Sequence, residues 1–252
     1  HGSLPTDVGW YRKTFELPEA VRDKRIHLEF DGIYRDATIW VNGHLAGRHL
    51  SGYTSFSLDI TELCLRDACN SIAVRCDARE FELWSYEGGG IYRGVRLIAT
   101  EAVFVPYSGT CVRSHFPQKN ELSVVQLHLS AAIKNTEDHR VSGVLELTVY
   151  TEKETTAIHH SSHKISLQSG SYDSIEHSCE LTNPILWSPE SPSLYRLETK
   201  ISIEGQVSDQ YSTTFGIRSI EFDTDKGFIL NGSPLKLLGV CNHQDHAGVG
   251  VA

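Results

Sequence analysis

The stretch that decides the fold is Phe215-Gly-Ile-Arg-Ser-Ile-Glu-Phe222, followed by Lys226-Gly-Phe-Ile-Leu-Asn-Gly-Ser-Pro-Leu-Lys-Leu-Leu-Gly-Val-Cys-Asn-His-Gln-Asp-His246. Asn231-Gly232 predicts a hairpin, because both turn positions require positive φ. Residues 235–240 are mostly apolar, as expected of a strand covered on both faces. Polar residues follow this strand directly, and in (β/α)8 barrels the chemistry lies at the C-terminal ends of the strands. We therefore expect residues 221–252 to be the opening of a (β/α)8 barrel that this chain truncates.

Short alternating runs fill the sequence upstream of that stretch. In residues 25–30, Ile26, Leu28 and Phe30 share one face, which is the period-two pattern of a half-buried strand. The same pattern recurs in residues 37–41, 70–76 and 95–99. Only residues 60–65 indicate a helical turn. Many short strands separated by turns are typical of a jelly-roll β-sandwich, which we place at residues 1–103.

A second set of strands follows. The clearest alternation lies in residues 125–131, 144–150 and 195–203. The stretches 152–163 and 168–178 are polar and rich in Ser and His, so we expect exposed strands and turns there. Residues 183–192 contain three prolines, which exclude helix and favour an extended crossing between sheets. This pattern predicts an immunoglobulin-like β-sandwich over residues 104–220.

Composition limits the range of partners. The 252 residues carry a net charge of -9 that is spread along the chain, which argues against binding to nucleic acid or an anionic membrane. No apolar run approaches the roughly 20 residues that span a bilayer. The sequence opens with His1-Gly2-Ser3 and no Met, so the lack of a recognisable leader decides nothing.

The six cysteines form no CxxC pair and no metal-type spacing, and we expect no metal and no cofactor. Cys76 lies on the apolar side of a predicted strand, which indicates a buried thiol. Cys64 and Cys69 flank a predicted turn and could pair only if the local geometry suits a disulfide.

Four segments together resemble glycoside hydrolase family 2, the family of β-galactosidases, β-glucuronidases and β-mannosidases. They are Tyr11-Arg-Lys-Thr-Phe-Glu-Leu-Pro18, Trp40-Val-Asn-Gly-His44, Glu87-Gly-Gly-Gly-Ile-Tyr-Arg-Gly-Val95, and Trp187-Ser-Pro-Glu-Ser-Pro-Ser-Leu-Tyr195 with Phe215-Gly-Ile-Arg218. Each motif is weak alone. Together the four motifs are specific for the family, because they occur in order and are followed by Gly239-Val-Cys-Asn-His-Gln-Asp-His246. The resemblance covers nearly the whole chain.

The resemblance implies that the chain is the N-terminal region of an exo-acting β-glycosidase, most simply of β-galactosidase type. The parent enzyme would act on a β-glycoside or oligosaccharide, and it could be a homo-oligomer. In this family two glutamates on later barrel strands hydrolyse the bond with retention, which needs carboxyl groups about 5–5.5 Å apart. No acidic residue of this chain falls on either catalytic motif. We therefore expect the chain as given to be inactive.

The resemblance also implies substrate-binding residues after the barrel strand. Asn242, His243, Asp245 and His246 match a segment whose polar groups face the sugar, and imidazole and carboxylate groups can hold sugar hydroxyls. The alternative is a surface loop with an acid–imidazole pair or a weak metal site. Asn242 and Gln244 stand where Arg and Glu are common in the family, which leaves the sugar specificity open.

A second substrate-binding group precedes the triple glycine. In the family this loop reaches the mouth of the barrel, so Trp84, Tyr86 and Glu87 could contact a sugar, with an aromatic ring stacked on its face. The alternative is a loop that the aromatic residues anchor at a domain interface. Tyr92 and Arg93 fit a structural role, with Arg93 forming a forked ion pair to the barrel.

The remaining candidates favour structural roles. Trp10, Trp40 and Trp187 suggest carbohydrate binding, but Trp40 fits packing or a half-buried surface better. His159, His160 and His163 lie in a polar, turn-like setting that argues against a metal. Turn and cap roles fit four aspartates better than catalysis, namely Asp7, Asp31, Asp36 and Asp59.

Two other classes of function remain open. One is a stand-alone carbohydrate-binding or adhesion module, and the other is a structural protein of two sandwiches without sugar contacts. The barrel-like stretch argues against the first, because an unpaired strand leaves an exposed, adhesive edge. Failure of any sugar to change the Trp fluorescence would favour the second. We expect residues from about 221 onward to pack on the immunoglobulin-like domain or to be poorly ordered.

Overall fold

The computed structural model describes residues 7–79, 89–118, 121–152 and 156–241. These residues form β-strands, two short 3-10 turns and no α-helix. The chain divides into two compact units, one of residues 1–100 with 240–252 and one of residues 101–239. The prediction of a mainly-β fold built from two sandwiches is confirmed.

The first unit contains nine strands. They are β1 (Val8–Phe15), β2 (Arg25–Phe30), β3 (Ile33–Tyr34), β4 (Ala37–Val41), β5 (His44–His49), β6 (Phe56–Asp59), β7 (Asn70–Asp77), β8 (Gly90–Ile91) and β9 (Val95–Thr100). One sheet has the order β1-β7-β4-β5, a second has the order β6-β2-β9, and β3 pairs with β8. The 3-10 turns are Glu19–Val21 and Thr61–Leu63, and the second confirms the predicted helical turn.

The core of the first unit follows the predicted alternation. Ile26, Leu28 and Phe30 are at most 2% exposed, and they pack with the inward residues of β4 and β7. Cys76 is buried in this cluster, as predicted, and burial raises the pKa of its thiol to about 11. Cys64 and Cys69 are both free thiols, so the disulfide considered from the sequence is absent.

The second unit contains a sandwich of eight strands. They are β10 (Val103–Phe104), β11 (Thr110–His115), β12 (Val124–Asn135), β13 (Val141–Thr151), β14 (Ala157–Leu167), β15 (Tyr172–Thr182), β16 (Tyr195–Ile203) and β17 (Gln206–Phe215). One sheet has the order β14-β13-β16-β17, and in the other β12 pairs with β10, β11 and β15. The segment 183–192 connects β15 to β16 and therefore crosses between the sheets, as predicted.

The polar stretches of the second unit are more regular than expected. His159, His160 and His163 do not lie in a turn, because β14 runs through all three. A strand alternates its side chains between two faces, so this correction places His159 and His163 on one face and His160 on the other.

A hairpin follows the second sandwich. It consists of β18 (Ile220–Asp223), β19 (Gly227–Leu230) and β20 (Ser233–Pro234). Asn231 and Gly232 have φ values of 50° and 76°, which confirms the predicted turn. The Asn231 side chain accepts from the N–H of Ser219 at 3.0 Å and donates to the carbonyl of Trp187 at 3.0 Å. The hairpin is thus fastened to the second unit.

The predicted barrel strand does not form within this chain. Residues 235–241 have no regular structure, and Leu237, Leu238 and Val240 are 68%, 84% and 92% exposed. A buried parallel strand takes its hydrogen bonds from neighbouring strands and its cover from helices. The described part of the chain supplies neither, so the apolar sequence alone does not make a strand.

Candidate functional site

All predicted sugar-contacting residues lie outside the described part of the chain. Trp84, Tyr86 and Glu87 belong to the segment 80–88, and Asn242, His243, Asp245 and His246 belong to 242–252. The structure does describe the residues on both sides of segment 80–88. These flanking residues show how the first unit holds the two ends of that segment.

Asp77 anchors the start of the segment, at the end of β7. Its carboxylate accepts from Arg79 Nε at 2.9 Å and Nη2 at 2.7 Å, and from Arg75 Nη2 at 2.6 Å. The forked bond from Arg79 contributes most to holding the pKa of Asp77 far below its ordinary value. The backbone N–H of Asp77 also donates to the Arg35 carbonyl at 3.0 Å. The chain therefore enters the segment from a fixed, charged residue.

Gly89 and Gly90 anchor the end of the segment. A Cβ on Gly89 would lie 3.1 Å from Cβ of Ala78, so the two ends meet side by side. Gly90 has a φ of +130°, and a Cβ there would overlap the hydroxyl of Tyr11. Only glycine combines this φ with so close an approach. Gly89 and Gly90 thus close the base of the segment.

A cluster of tyrosines surrounds this base. Tyr34 in β3 pairs with Gly90 and is buried, and its ring meets that of Tyr53 edge to face at 5.6 Å. The Tyr92 hydroxyl donates to the Gly52 carbonyl at 2.8 Å. Tyr53 is 59% exposed. Tyr34 and Tyr53 lie in no recognised motif, so the sequence analysis did not single them out.

Forked ion pairs stiffen the same unit. Arg96 donates to both carboxylate oxygens of Asp31 at 2.6 and 2.7 Å, and Arg48 does the same to Asp36 at 2.6 and 2.8 Å. These bonds are the main reason that the pKa values of both aspartates lie below the ordinary range. Asp59 accepts from Thr61 at the start of its 3-10 turn. These three aspartates have structural partners, in line with their predicted roles.

Arg93 contacts neighbouring residues of its own unit. Its guanidinium lies 5.0 Å from the centre of the Tyr92 ring, and one nitrogen is 3.5 Å from the Asp31 carbonyl. The forked pair to the Asp31 carboxylate comes from Arg96. A forked ion pair from Arg93 to a barrel stays a prediction.

The tryptophans fall into two settings. Trp10 is 53% exposed and stacks on Trp40 with ring centres 5.5 Å apart. The strands that carry them, β1 and β4, both pair with β7, where Ala73 lies opposite Trp40. The small side chain of Ala73 lets the two rings meet above β7. Trp187 is structural, because its backbone bonds to Ile217 and Asn231, and Arg218 lies over its ring.

Metal-type clusters are sparse in the described ranges. The one group there whose three ligand atoms all lie within 4.8 Å of one another is Glu137, Asp138 and His139, which are consecutive residues of a mostly exposed turn. No helix among the same residues is long and apolar enough to cross a membrane.

Comparison with known proteins relates these features to one family. The model of "Glycosyl hydrolases family 2" matches residues 112–218, and that of "Glycosyl hydrolase 2 galactose-binding domain-like" matches residues 6–83. The chain is 34% identical to the β-galactosidase BoGH2A of Bacteroides ovatus, covering 100% of this chain and 29% of that protein. It is also 34% identical to a putative β-glucuronidase of Formosa agariphila, covering 97% of this chain and 22% of that protein.

Solved structures give the same result. A glycosyl hydrolase family 2 member from Bacteroides cellulosilyticus superposes with a TM-score of 0.84 at 34% identity, over 95% of this chain and 32% of the other. The β-glucuronidase of Bacteroides uniformis superposes with a TM-score of 0.86 at 31% identity, over 98% of this chain and 30% of the other. The chain thus spans about a third or less of the length of these relatives.

The two sandwiches and their matches define a class, the β-sandwich region that accompanies the catalytic domain of a glycoside hydrolase. The chain belongs to glycoside hydrolase family 2 and corresponds to the N-terminal region of that family.

Proposed function

We propose that this chain is the non-catalytic N-terminal region of an exo-acting family 2 β-glycosidase of β-galactosidase type, which hydrolyses terminal β-glycosidic bonds with retention. The observation that carries the proposal is the order of parts. A galactose-binding-like sandwich, an immunoglobulin-like sandwich and a fastened hairpin follow one another, and the two family models match the two sandwiches in that order. The relatives named above are glycosidases of this family.

A neutral sugar fits the sequence better than a uronic acid. A sugar carboxylate is best bound by Arg or Lys through charge-assisted hydrogen bonds. Residues 242–246 read Asn-His-Gln-Asp-His and contain one carboxylate and neither Arg nor Lys. Amide, imidazole and carboxylate groups suit the hydroxyls of a neutral sugar such as galactose. This is our reason for choosing the galactosidase type, since the relatives include both galactosidases and glucuronidases.

The first unit would position segment 80–88 for the substrate. The Arg75–Asp77–Arg79 group holds one end of the segment and the glycine turn holds the other. A segment fixed at both ends can close one side of a pocket, and a closed pocket admits only the end of a glycan. Trp84 and Tyr86 would stack on the sugar and Glu87 would bind its hydroxyls. Exo action is what the architecture of the family implies for such a pocket.

Catalysis itself would come from two glutamates on barrel strands that this chain does not contain. The 252 residues alone would therefore bind sugar weakly and would not hydrolyse it. A parent enzyme of this type needs no cofactor for the acid/base and nucleophile steps. Homo-oligomerisation of the parent is part of the same proposal.

A panel of aryl β-glycosides tests the proposal. The galactoside, glucuronide, mannoside and glucoside would be offered to the native gene product extended past Ala252, with the 252-residue chain as the control. We expect turnover of the galactoside by the extended protein alone. Turnover of the glucuronide instead would overturn the galactosidase type. No turnover by a folded extended protein, or turnover by the 252-residue chain, would overturn the assignment of catalysis.

The exposed Trp10–Trp40 stack supports a second candidate, a carbohydrate-binding module. Aromatic faces of this kind can stack on sugar rings, and Arg12 and Arg75 neighbour the stack in the strand register. Titration of the 252-residue chain with soluble β-glycans, followed by Trp fluorescence, separates the two. Saturable binding that Trp10→Ala abolishes would favour the module.

A further inference from the structure

Three histidines line one edge of the second sandwich from the inside. In β14, His159 pairs with Val149 and His163 pairs with Leu145. Paired residues of neighbouring strands point to the same face, and both partners are 0% exposed. His159 and His163 therefore point toward the core side of their sheet, where alternation calls for apolar residues.

A third histidine faces them from the other sheet. His177 of β15 pairs with Leu129, which is also 0% exposed. The Nε2 atoms of His159 and His177 are 2.9 Å apart, and the centres of their rings are 5.0 Å apart. The His163 ring lies 5.0 Å from that of His177, nearly at a right angle to it. β14 and β15 belong to different sheets, so these side chains bridge the sandwich at its edge.

Two imidazole rings in their neutral form are suited to bind a metal ion. A neutral imidazole offers a free nitrogen lone pair, which makes it the commonest metal ligand in proteins. His163 is held beside the pair by a hydrogen bond of 3.1 Å between its Nε2 and the Ser161 hydroxyl.

The contact between the two nitrogens is a hydrogen bond, in which one imidazole donates its N–H to the other. The ring centres are 5.0 Å apart, so the two rings meet almost end to end. An ion that takes the place of the shared proton needs both rings to turn until their lone pairs converge on it. Metal–imidazole bonds of about 2.0–2.1 Å are within reach of such a rotation.

We propose that His159 and His177 form a two-histidine site for a divalent transition-metal ion, with His163 as a neighbouring third imidazole. The ion would link the edge strands of two sheets that are not hydrogen-bonded to each other at this edge. Because it binds only the folded arrangement, it would raise the thermal stability of the second unit. The site does not depend on the proposed glycosidase activity.

The test is a titration of the 252-residue chain with NiCl₂, followed by calorimetry and by thermal unfolding. The variants are His159→Ala and His177→Ala, with His160→Ala as the matched control. His160 lies on the same strand but on the opposite face, where it bonds to Thr148 at 3.0 Å. The control also accounts for weak binding by other surface histidines, since the chain has 13.

We expect one Ni²⁺ per wild-type chain with a rise in Tm. Each of the two site variants should lose affinity by about tenfold or more, and His160→Ala should behave as wild type. If an alanine variant unfolds, His177→Asn provides the same comparison in a folded chain. Equal binding by wild type and a folded site variant would overturn the proposal, as would an equal loss in His160→Ala.

Discussion

Each sandwich of this chain contains a fully buried asparagine that holds its loops by hydrogen bonds. The hydrogen bonds reach over different distances in the two units. Asn70 bonds to the backbone of Leu65 and Ala68 and to the side chain of Asn42, all within the first unit's turn and hairpin. Asn135 donates to the carbonyls of His139, Leu167 and Gln168 and accepts from the N–H of Glu137. Its bonds reach from β12 to the end of β14, in the opposite sheet.

The difference shows how each unit is organised. The first unit places ion pairs and glycines at the two ends of segment 80–88. The second unit ties its two sheets together at their edges, through Asn135 and through the histidines. These contacts thus support the ends of one segment in the first unit and join two sheets in the second.

Loss of the two asparagines should give the largest effects. We expect Asn135→Ala to destabilise the second unit by about 3 kcal/mol and Asn70→Ala to destabilise the first by about 2 kcal/mol, since each leaves several buried backbone groups unpaired. Denaturant unfolding of each variant measures this, with the exposed Gln206→Ala as control. The two variants should shift different transitions. A shift of the same transition by both would contradict the division into two units.

Two glycines, one in each unit, extend the comparison between the two units. A Cβ on Gly143 would overlap the backbone carbonyl of Ser202, whereas one on Gly52 would overlap the ring of Tyr34. A side chain can move more easily than a strand backbone, so we expect Gly143→Ala to cost about 3 kcal/mol and Gly52→Ala about 1 kcal/mol. Thermal unfolding distinguishes the two, and Gly239→Ala, with open space around it, is the control. Equal costs would show that the Tyr34 cluster is as rigid as the sheet.

Acid should affect the two units in different pH windows. His159 and His177 have lowered pKa values when folded, so the unfolded chain takes up protons first as the pH falls through about 6.5. Their share of stability is therefore lost on acidification below that pH. The carboxylates Asp31 and Asp36 also have lowered pKa values, but their contribution is lost only below about pH 4.

Thermal scans with a chelator at pH 7.5 and 5.5 measure this difference. The second-unit transition of wild type should fall more than that of His177→Asn. His139→Asn is a control, because its partner Asp138 raises the pKa of His139 and its contribution has the opposite sign. An equal fall in wild type and His177→Asn would show that the histidine pair does not cause the acid sensitivity.

The smallest effect concerns the end of the described chain. Chymotrypsin should cut first near Leu237 and Leu238, which are 68% and 84% exposed, and spare the hairpin that ends at Pro234. Mass spectrometry of a limited digest shows the first cleavage site. Early cleavage within β18 or β19, or an uncut tail, would contradict the difference between the fastened hairpin and the exposed tail.

The sequence predicted the fold well where one face of a strand is buried. Alternation located β2, β4, β7, β12, β13 and β16, and the Asn231-Gly232 pair located a hairpin turn with positive φ. It failed at residues 235–240, because an apolar run cannot show whether its neighbouring strands are present. It also missed the pair of His159 and His177, since local polarity conceals which face a strand turns inward. The stack of Trp10 on Trp40 depends on register across Ala73, which the sequence does not express.

The most direct test of the account is the effect of Trp84→Ala and Glu87→Gln on kcat/KM for an aryl β-galactoside, in the gene product extended past Ala252. Both residues belong to the segment that we propose the first unit holds against the substrate. We expect kcat/KM to fall at least about tenfold in each variant, the size of a misplaced substrate contact. The control Trp10→Ala should leave kcat/KM unchanged. Unchanged kcat/KM in both variants, with the protein folded and active, would contradict this proposal.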